Sequence, residues 1–130
     1  MVEFGNSIDP EVNRSVHDLA AAIESADVLG VVEMVPSYRS LLISYDPLTT
    51  SPDLLGAVVL ESLQNDVNAD EKPARVVHIP TLYGGEHGPD IEFFAEAKGL
   101  TQKEVVEIHS GTDYLVYMLG FSPGFPYLGG

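Results

Sequence analysis

A chain of 130 residues with 45% hydrophobic content holds enough apolar material for one ordinary domain, or for one small domain and part of another. Its formal net charge of −14, from 20 acidic and 6 basic residues, repels phosphate backbones and anionic bilayers, so neither nucleic acid nor membrane is expected as a partner. Cysteine is absent, which removes disulfide scaffolds, thiolate zinc sites and cysteine nucleophiles together.

The opening Met1-Val2-Glu3-Phe4 has neither the basic region nor the long apolar stretch of a signal peptide. No apolar run reaches the roughly 20 residues of a membrane helix. Together these favour a cytoplasmic chain. The acidic excess reads as ordinary solubility, with basic partners left open. Asn13-Arg14-Ser15 fits a glycosylation sequon, but inside a predicted helix of a cytoplasmic chain it reads as chance.

Val2 to Gly5 looks like the end of a strand, which suggests missing upstream sequence. Asp9 can cap a helix and Pro10 suits its first position. Val12, Val16, Leu19 and Ile23 then fall four, three and four apart and build one apolar stripe. His17 sits beside that stripe and reads as a half-buried or surface side chain. Val31–Val35 and Ser40–Tyr45 read as two strands, with Pro36–Arg39 as the bend and Pro36 marking a strand end or edge. Ser51 and Pro52 repeat the cap-plus-proline signal before a second amphipathic helix. Its inward residues are expected to be Leu55, Val58, Val59 and Leu63, and Gly56 within it suggests close packing.

The polar stretch "NADEKPA", residues 68 to 74, is the expected boundary between domains at 1–70 and 75–130. The first is expected to be a small α+β layer, two helices on one face of an antiparallel sheet. "RVVHIPTLY" alternates like a strand and "GGEHGPD" is a glycine-rich turn. Asp90 can cap a helix over Ile91–Lys98 that Gly99 ends. Thr101 and Glu104 form a capping box for a helix over Gln102–Ser110, which Gly111 ends. "DYLVYMLGF" reads as a buried strand, and "GFSPGFPYLGG" closes the chain. A part of roughly 55 residues has a marginal core of its own. Residues 1 to 70 are therefore expected to hold most of the ordered core, and the last stretch to be strained or dependent on a partner.

Several residues could carry chemistry. "GGEHGPD" lacks the Gly-Lys-Ser/Thr of a P-loop, and Glu86 and Asp90 oppose a phosphate. It reads as a tight turn with a helix cap, or as a turn that also lines a pocket rim. Glu86, Asp90 and Glu92 lie close enough to offer paired carboxylates, with Asp90 the strongest. His78 and His87 could join Asp90 at a metal, but no ligand spacing supports this and no metal is expected. His109 falls in the last turn of its helix, where it can cap loose carbonyls or face a pocket as an acid or donor. Ser122 misses the Gly-x-Ser-x-Gly elbow, because Gly124 directly follows Pro123. In the terminal loop glycines permit positive φ, prolines fix shape, and Phe121, Phe125 and Tyr127 supply flat walls. That composition suits a small planar ligand, a docking protein or a rigid barrel corner equally.

Tyr83 to Asp90 and Gly120 to Gly129 match a Tyr-Gly-Gly-x-x-Gly-Pro-Asp turn and a Gly-Phe-x-Pro-Gly-Phe-x-Tyr-Leu-Gly loop. With "VPSYRSLLISYDP" at 35–47, they make the chain resemble the family of 5-oxoprolinase B subunits, also labelled allophanate hydrolase subunit one or KipI. The resemblance covers essentially the whole chain. It implies a small α+β N-terminal domain followed by the first part of a cyclophilin-like β-barrel, cut short within the terminal loop. It implies ATP-dependent opening of 5-oxoproline to glutamate together with 5-oxoprolinase subunits A and C. ATP would be used by the assembled complex and bound elsewhere than on this chain. Asp90 and His109 would be catalytic, and Tyr83, Gly84, Gly85, Gly120, Phe121, Pro123, Gly124, Phe125 and Tyr127 would line the substrate pocket or the interface within the complex. The same labels carry two alternatives, an inhibitor of a sporulation histidine kinase and a component of an allophanate or urea-pathway amide hydrolase.

Overall fold

The computed structural model describes residues 1–64 and 75–129. The expected boundary at 68–74 lies outside them. The described residues form two compact units, one of 1–64 with Val116–Leu128 and one of 75–115 with 129. The fold class is α+β, as the pattern of elements predicts.

The first unit opens with strand β1 (Val2–Glu3) and helix α1 (Pro10–Ser25). Asp9 is extended (φ −142°, ψ 136°) and its carboxylate accepts from the amides of Glu11 and Val12, so the predicted cap is present. Strands β2 (Val31–Pro36) and β3 (Ser40–Tyr45) follow, then helix α2 (Pro52–Gln64), whose start is held by the Ser51 hydroxyl accepting from the Leu54 amide. The sheet order is β1-β3-β2 and all pairs are antiparallel. Val35 pairs with Leu42 and Met34 with Ile43, and a register shift between Val31 and Glu33 throws Val32 out to solvent.

The stripe on α1 meets the inner face of this sheet. Val16, Leu19, Ile23, Leu41 and Val59 form one buried cluster, with Val2, Phe4, Met34 and Ile43 packed around it. Each such side chain contributes roughly 1.5–3 kcal/mol by leaving water. On α2 only Leu55 and Val59 are buried; Val58 is half-buried and Leu63 is 50% exposed. Leu63 is thus a correction, since it lies a full turn beyond Val59 where the helix has outrun the cluster. Gly56 is a second correction: a Cβ there would meet nothing within 4 Å, so no close approach requires it. One polar side chain, Asn13, is buried within the described residues. Its Nδ2 donates to the carbonyls of Ser37 (3.0 Å) and Tyr38 (3.3 Å) and so ties α1 to the β2–β3 turn.

Strands β4 (Leu115–Leu119) and β5 (Pro126–Gly129) pair as a hairpin. The expected buried strand over 113–121 is therefore shorter, and only Tyr117 in it is buried. The reason is stoichiometric: two strands offer one ladder and few facing side chains, so Leu115, Val116 and Leu119 remain 44–59% exposed.

The second unit holds a 3₁₀ turn at Gly85–His87 and helices α3 (Ile91–Lys98) and α4 (Gln102–Ser110). Gly99 is left-handed (φ 66°), and the amides of Gly99 and Leu100 donate to the carbonyls of Glu96 and Ala95, a Schellman stop. Thr101 and Glu104 form the predicted capping box. Residues 75–83 are not a strand, contrary to their alternation; they form no ladder with any described strand, and 75–82 are exposed. Alternation marks a chain suited to a sheet, but a strand exists only beside a partner edge. Among the described residues no helix is long and apolar enough to cross a membrane.

Candidate functional site

In the second unit the glycine-rich turn and the end of α4 bring two predicted residues together. Gly84 adopts φ 77°, ψ −173°, a region open essentially to glycine alone, and Gly85 has φ 58°. The Gly88 amide closes the turn on the Gly84 carbonyl at 3.0 Å. A Cβ on Gly88 would stand 2.5 Å from the Gly84 nitrogen, so this closure needs a glycine at 88 as well. The turn presents Tyr83, whose hydroxyl lies 2.5 Å from Nδ1 of His109. The two rings meet edge to face at 5.6 Å, and the Tyr114 ring lies 5.8 Å from the imidazole, tilted by 38°.

His109 is thus engaged by a phenol rather than by loose carbonyls of α4. The pair has two forms. With the Tyr83 O–H donating to Nδ1, the imidazole Nε2 carries the ring proton and is a donor. With Nδ1–H donating to the Tyr83 oxygen, Nε2 is a base. Either way the contact orients the exposed His109 ring and couples its tautomer to the direction of the Tyr83 bond.

Asp90 is not joined to this pair by any described contact, and its expected capping bond is absent. It stands at the start of α3 with φ −88°, ψ −4°. A capping carboxylate needs an extended backbone, as Asp9 and Thr101 have, to swing back over the first amides. The helical backbone of Asp90 leaves its carboxylate exposed in solvent.

In the first unit the remaining predicted residues build the β4–β5 loop. Ser122 to Phe125 is a type II turn, with Pro123 leading, Gly124 at φ 80° and the Phe125 amide donating to the Ser122 carbonyl at 3.0 Å. Just before it Phe121 has φ 60°, and the Ser122 amide reaches the Gly120 carbonyl at 2.6 Å. That is a γ-turn of the strained hand, rare for a residue with a side chain. The expected strain in this stretch is therefore present, and it is localised at Phe121. Leu119 to Gly124 line a hollow of about 360 Å³, and Phe121 stands 92% exposed beside it.

Sequence reasoning missed two residues here. Tyr38, in the β2–β3 turn, packs on Tyr117 (5.1 Å) and Tyr127 (6.1 Å); Tyr127 then meets Phe125, and Phe125 meets Phe121. His17 donates from Nε2 to the Tyr117 carbonyl at 3.0 Å. The available signal was spacing: Asn13 and His17 are four apart, so they share one polar edge beside the α1 stripe.

Two carboxylates are held below their usual range, and both serve the fold. Glu104 is lowered first by the Thr101 amide and then by the Thr101 hydroxyl. Asp46 is lowered by the Leu48 amide and then by the Thr49 hydroxyl, in the loop after β3. His78, Glu86, His87 and Glu92 are all exposed, and no group of three or more metal-ligating side chains occurs among the described residues.

Comparison with known proteins gives the family of the chain. The family model described as the carboxyltransferase domain, subdomain C and D, matches residues 1–130. The chain is 41% identical over 140 residues to the 5-oxoprolinase B subunit of Bacillus subtilis (strain 168), covering 100% of this chain and 58% of that protein. It is 40% identical over 106 residues to the 5-oxoprolinase B subunit of Escherichia coli O157:H7, covering 79% of this chain and 47% of that protein. The chain thus spans about half the length of these curated relatives. The crystal structure of TTHA0988 superposes on 98% of this chain and 23% of its own, with a TM-score of 0.78 at 35% identity.

Proposed function

We propose, for a chain that belongs to the carboxyltransferase subdomain C and D family, the role of the B component of an ATP-dependent 5-oxoprolinase working with subunits A and C. The observation that carries this reading is the 41% identity across the whole chain to a protein of that name. The division at 1–70 and 75–130, with the second part beginning a cyclophilin-like barrel, belongs to the same proposal.

The chemistry sets what the site must supply. The lactam of 5-oxoproline is a resonance-stabilised amide. Transfer of a phosphoryl group from ATP to its oxygen yields a better electrophile. ADP leaves in that transfer. Water then adds at the ring carbonyl carbon, the C–N bond breaks and the nitrogen takes a proton, which leaves an acyl phosphate of glutamate. A second water cleaves that acyl phosphate to glutamate and phosphate. In the form whose Nδ1–H donates to the Tyr83 oxygen, His109 takes the proton from the water attacking the ring carbonyl at Nε2. Asp90, whose carboxylate caps nothing, accepts a hydrogen bond from the lactam N–H. The Gly120–Tyr127 loop forms a substrate wall or the face toward the rest of the complex. ATP falls to another member of the complex, because the only glycine-rich turn before a helix among the described residues carries exposed Glu86 and Asp90 against a phosphate.

The test uses the longest reading frame containing this chain, co-expressed with the partners encoded beside it. Glutamate release from 5-oxoproline is measured with and without ATP. Release that requires ATP and disappears when this component is omitted is the expected result. His109→Gln and Asp90→Asn are expected to abolish turnover with assembly intact. No release from a fully assembled complex overturns the proposal in favour of another amide substrate or a kinase-binding module.

A further inference from the structure

We infer that Tyr38 is a positioning residue for the Gly120–Phe125 loop, and that Asn13 fixes Tyr38 for that task. The argument lies within the first unit. Asn13 is 5% exposed, and its amide group is committed to two consecutive carbonyls, those of Ser37 and Tyr38. A turn held at two adjacent peptides cannot rotate about either one. The Tyr38 ring then lies between one ring from each strand of the hairpin: Tyr117 on β4, tilted by 49°, and Tyr127 on β5, edge-on at 88°. One helical turn beyond Asn13, His17 takes hold of the Tyr117 backbone itself.

The loop needs such a brace. A lone two-stranded hairpin is marginal in water. This one also carries a strained γ-turn at Phe121 and a left-handed Gly124, and the amides of Gly120, Ser122 and Phe125 close its loop by short-range bonds. The ring series Tyr38, Tyr127, Phe125, Phe121 runs from the β2–β3 turn to the wall of the hollow. Removing the first ring frees the hairpin to pivot and displaces Phe121, while Asp90, Tyr83 and His109 belong to the other unit. A ligand held by the loop therefore binds less well, and the chemical step is spared.

The experiment compares Tyr38→Leu, which keeps apolar bulk without a ring, with Tyr38→Phe, which keeps the ring. Amide hydrogen exchange in the full chain is the first readout. In Tyr38→Leu the amides of Gly120, Ser122 and Phe125 are expected to exchange about tenfold faster while those of Ile23 and Leu41 keep their protection. Tyr38→Phe should restore the loop. Asn13→Ala should speed the same loop amides, and it serves where Tyr38→Leu fails to fold. Unchanged loop exchange in both variants, or an equal loss at Ile23 and Leu41, overturns the inference. The second readout rests on the proposed oxoprolinase reading: KM for 5-oxoproline should rise about tenfold in Tyr38→Leu with kcat within about twofold, and Tyr38→Phe should rescue it. A fall in kcat alone counts against positioning. A loop that responds in a complex without oxoprolinase activity, wild type included, refutes the reaction and leaves the positioning role standing.

Discussion

Replacing Gly88 by alanine isolates the turn that presents Tyr83. The backbone of Gly88 has φ −148°, which any residue adopts, so the cost is steric. Its new Cβ would stand 2.5 Å from the Gly84 nitrogen and 3.2 Å from the Gly84 Cα, against an ordinary separation of about 3.5–4.0 Å between carbon atoms. Both obstacles are backbone, so no rotamer change relieves them. The turn must open, and the bond from the Gly88 amide to the Gly84 carbonyl, at 3.0 Å, is the contact that closes it. Losing that bond costs about 1 kcal/mol. Residual overpacking adds about 1–3 kcal/mol, so the closed turn loses roughly 2–4 kcal/mol. Among the described residues of the second unit only Ala95 is buried, so little else holds the turn shut. Tyr83 then leaves His109. The assay is the pair of imidazole ¹⁵N shifts of His109, which report what Nδ1 meets. Gly88→Ala should move them to the values found in Tyr83→Phe. Gly85→Ala is the internal comparison: φ is 58° but nothing lies within 4 Å of its Cβ, so it costs about 1–2 kcal/mol of left-handed strain and no clash. It should keep the wild-type shifts. Wild-type His109 shifts in Gly88→Ala, or the same response in both variants, refute the reasoning.

Two further predictions concern the helix ends. Asp9→Ala removes a carboxylate that accepts from two amides, at 2.8 and 3.3 Å, and should cost about 1 kcal/mol; Asp90→Ala removes one that caps nothing and should stay within about 0.5 kcal/mol. Urea midpoints at constant slope separate the two, and equal losses would refute the assignment of the caps. Glu104 binds its proton less tightly in the folded chain than its ordinary value of 4.5, so its contribution is complete above that value and fades as pH falls through the lower folded one. Its carboxyl ¹³C titration should fall below 4.5 and move part of the way back in Thr101→Ala, where the backbone amide remains. A midpoint at the ordinary value in the wild-type chain would remove the capping box as its cause.

Local chemistry was legible and distant contact was not. The cap at Asp9, the stop at Gly99 and the box at Thr101 and Glu104 each involve residues within a few positions of one another, and each was read from the sequence. The stripe on α1 followed from period alone, because one sheet face sufficed to bury it. Asp90 failed at the same range. Residue type licensed a cap there, but the tight turn delivers a helical backbone to that position, and type cannot report φ and ψ. For the candidate site the sequence supplied the members and missed the joins. Tyr83 and His109 were both named, yet their 2.5 Å contact spans 26 positions.

The larger failures share one cause. His17 and Tyr117 are 100 positions apart, and Tyr38 meets rings at 117 and 127. No periodicity encodes such a pair; it follows only when the hairpin meets the β2–β3 turn. The stretch from 75 to 83 shows the converse. Its alternation is a real property of the side chains, but a ladder is a property of two strands, and no described strand pairs with this stretch. A sequence motif thus marks which residues can build the loop and the turn. Whether they hold a working geometry is decided by residues such as Tyr38 and Asn13, whose types carry no functional signature and whose contribution is position.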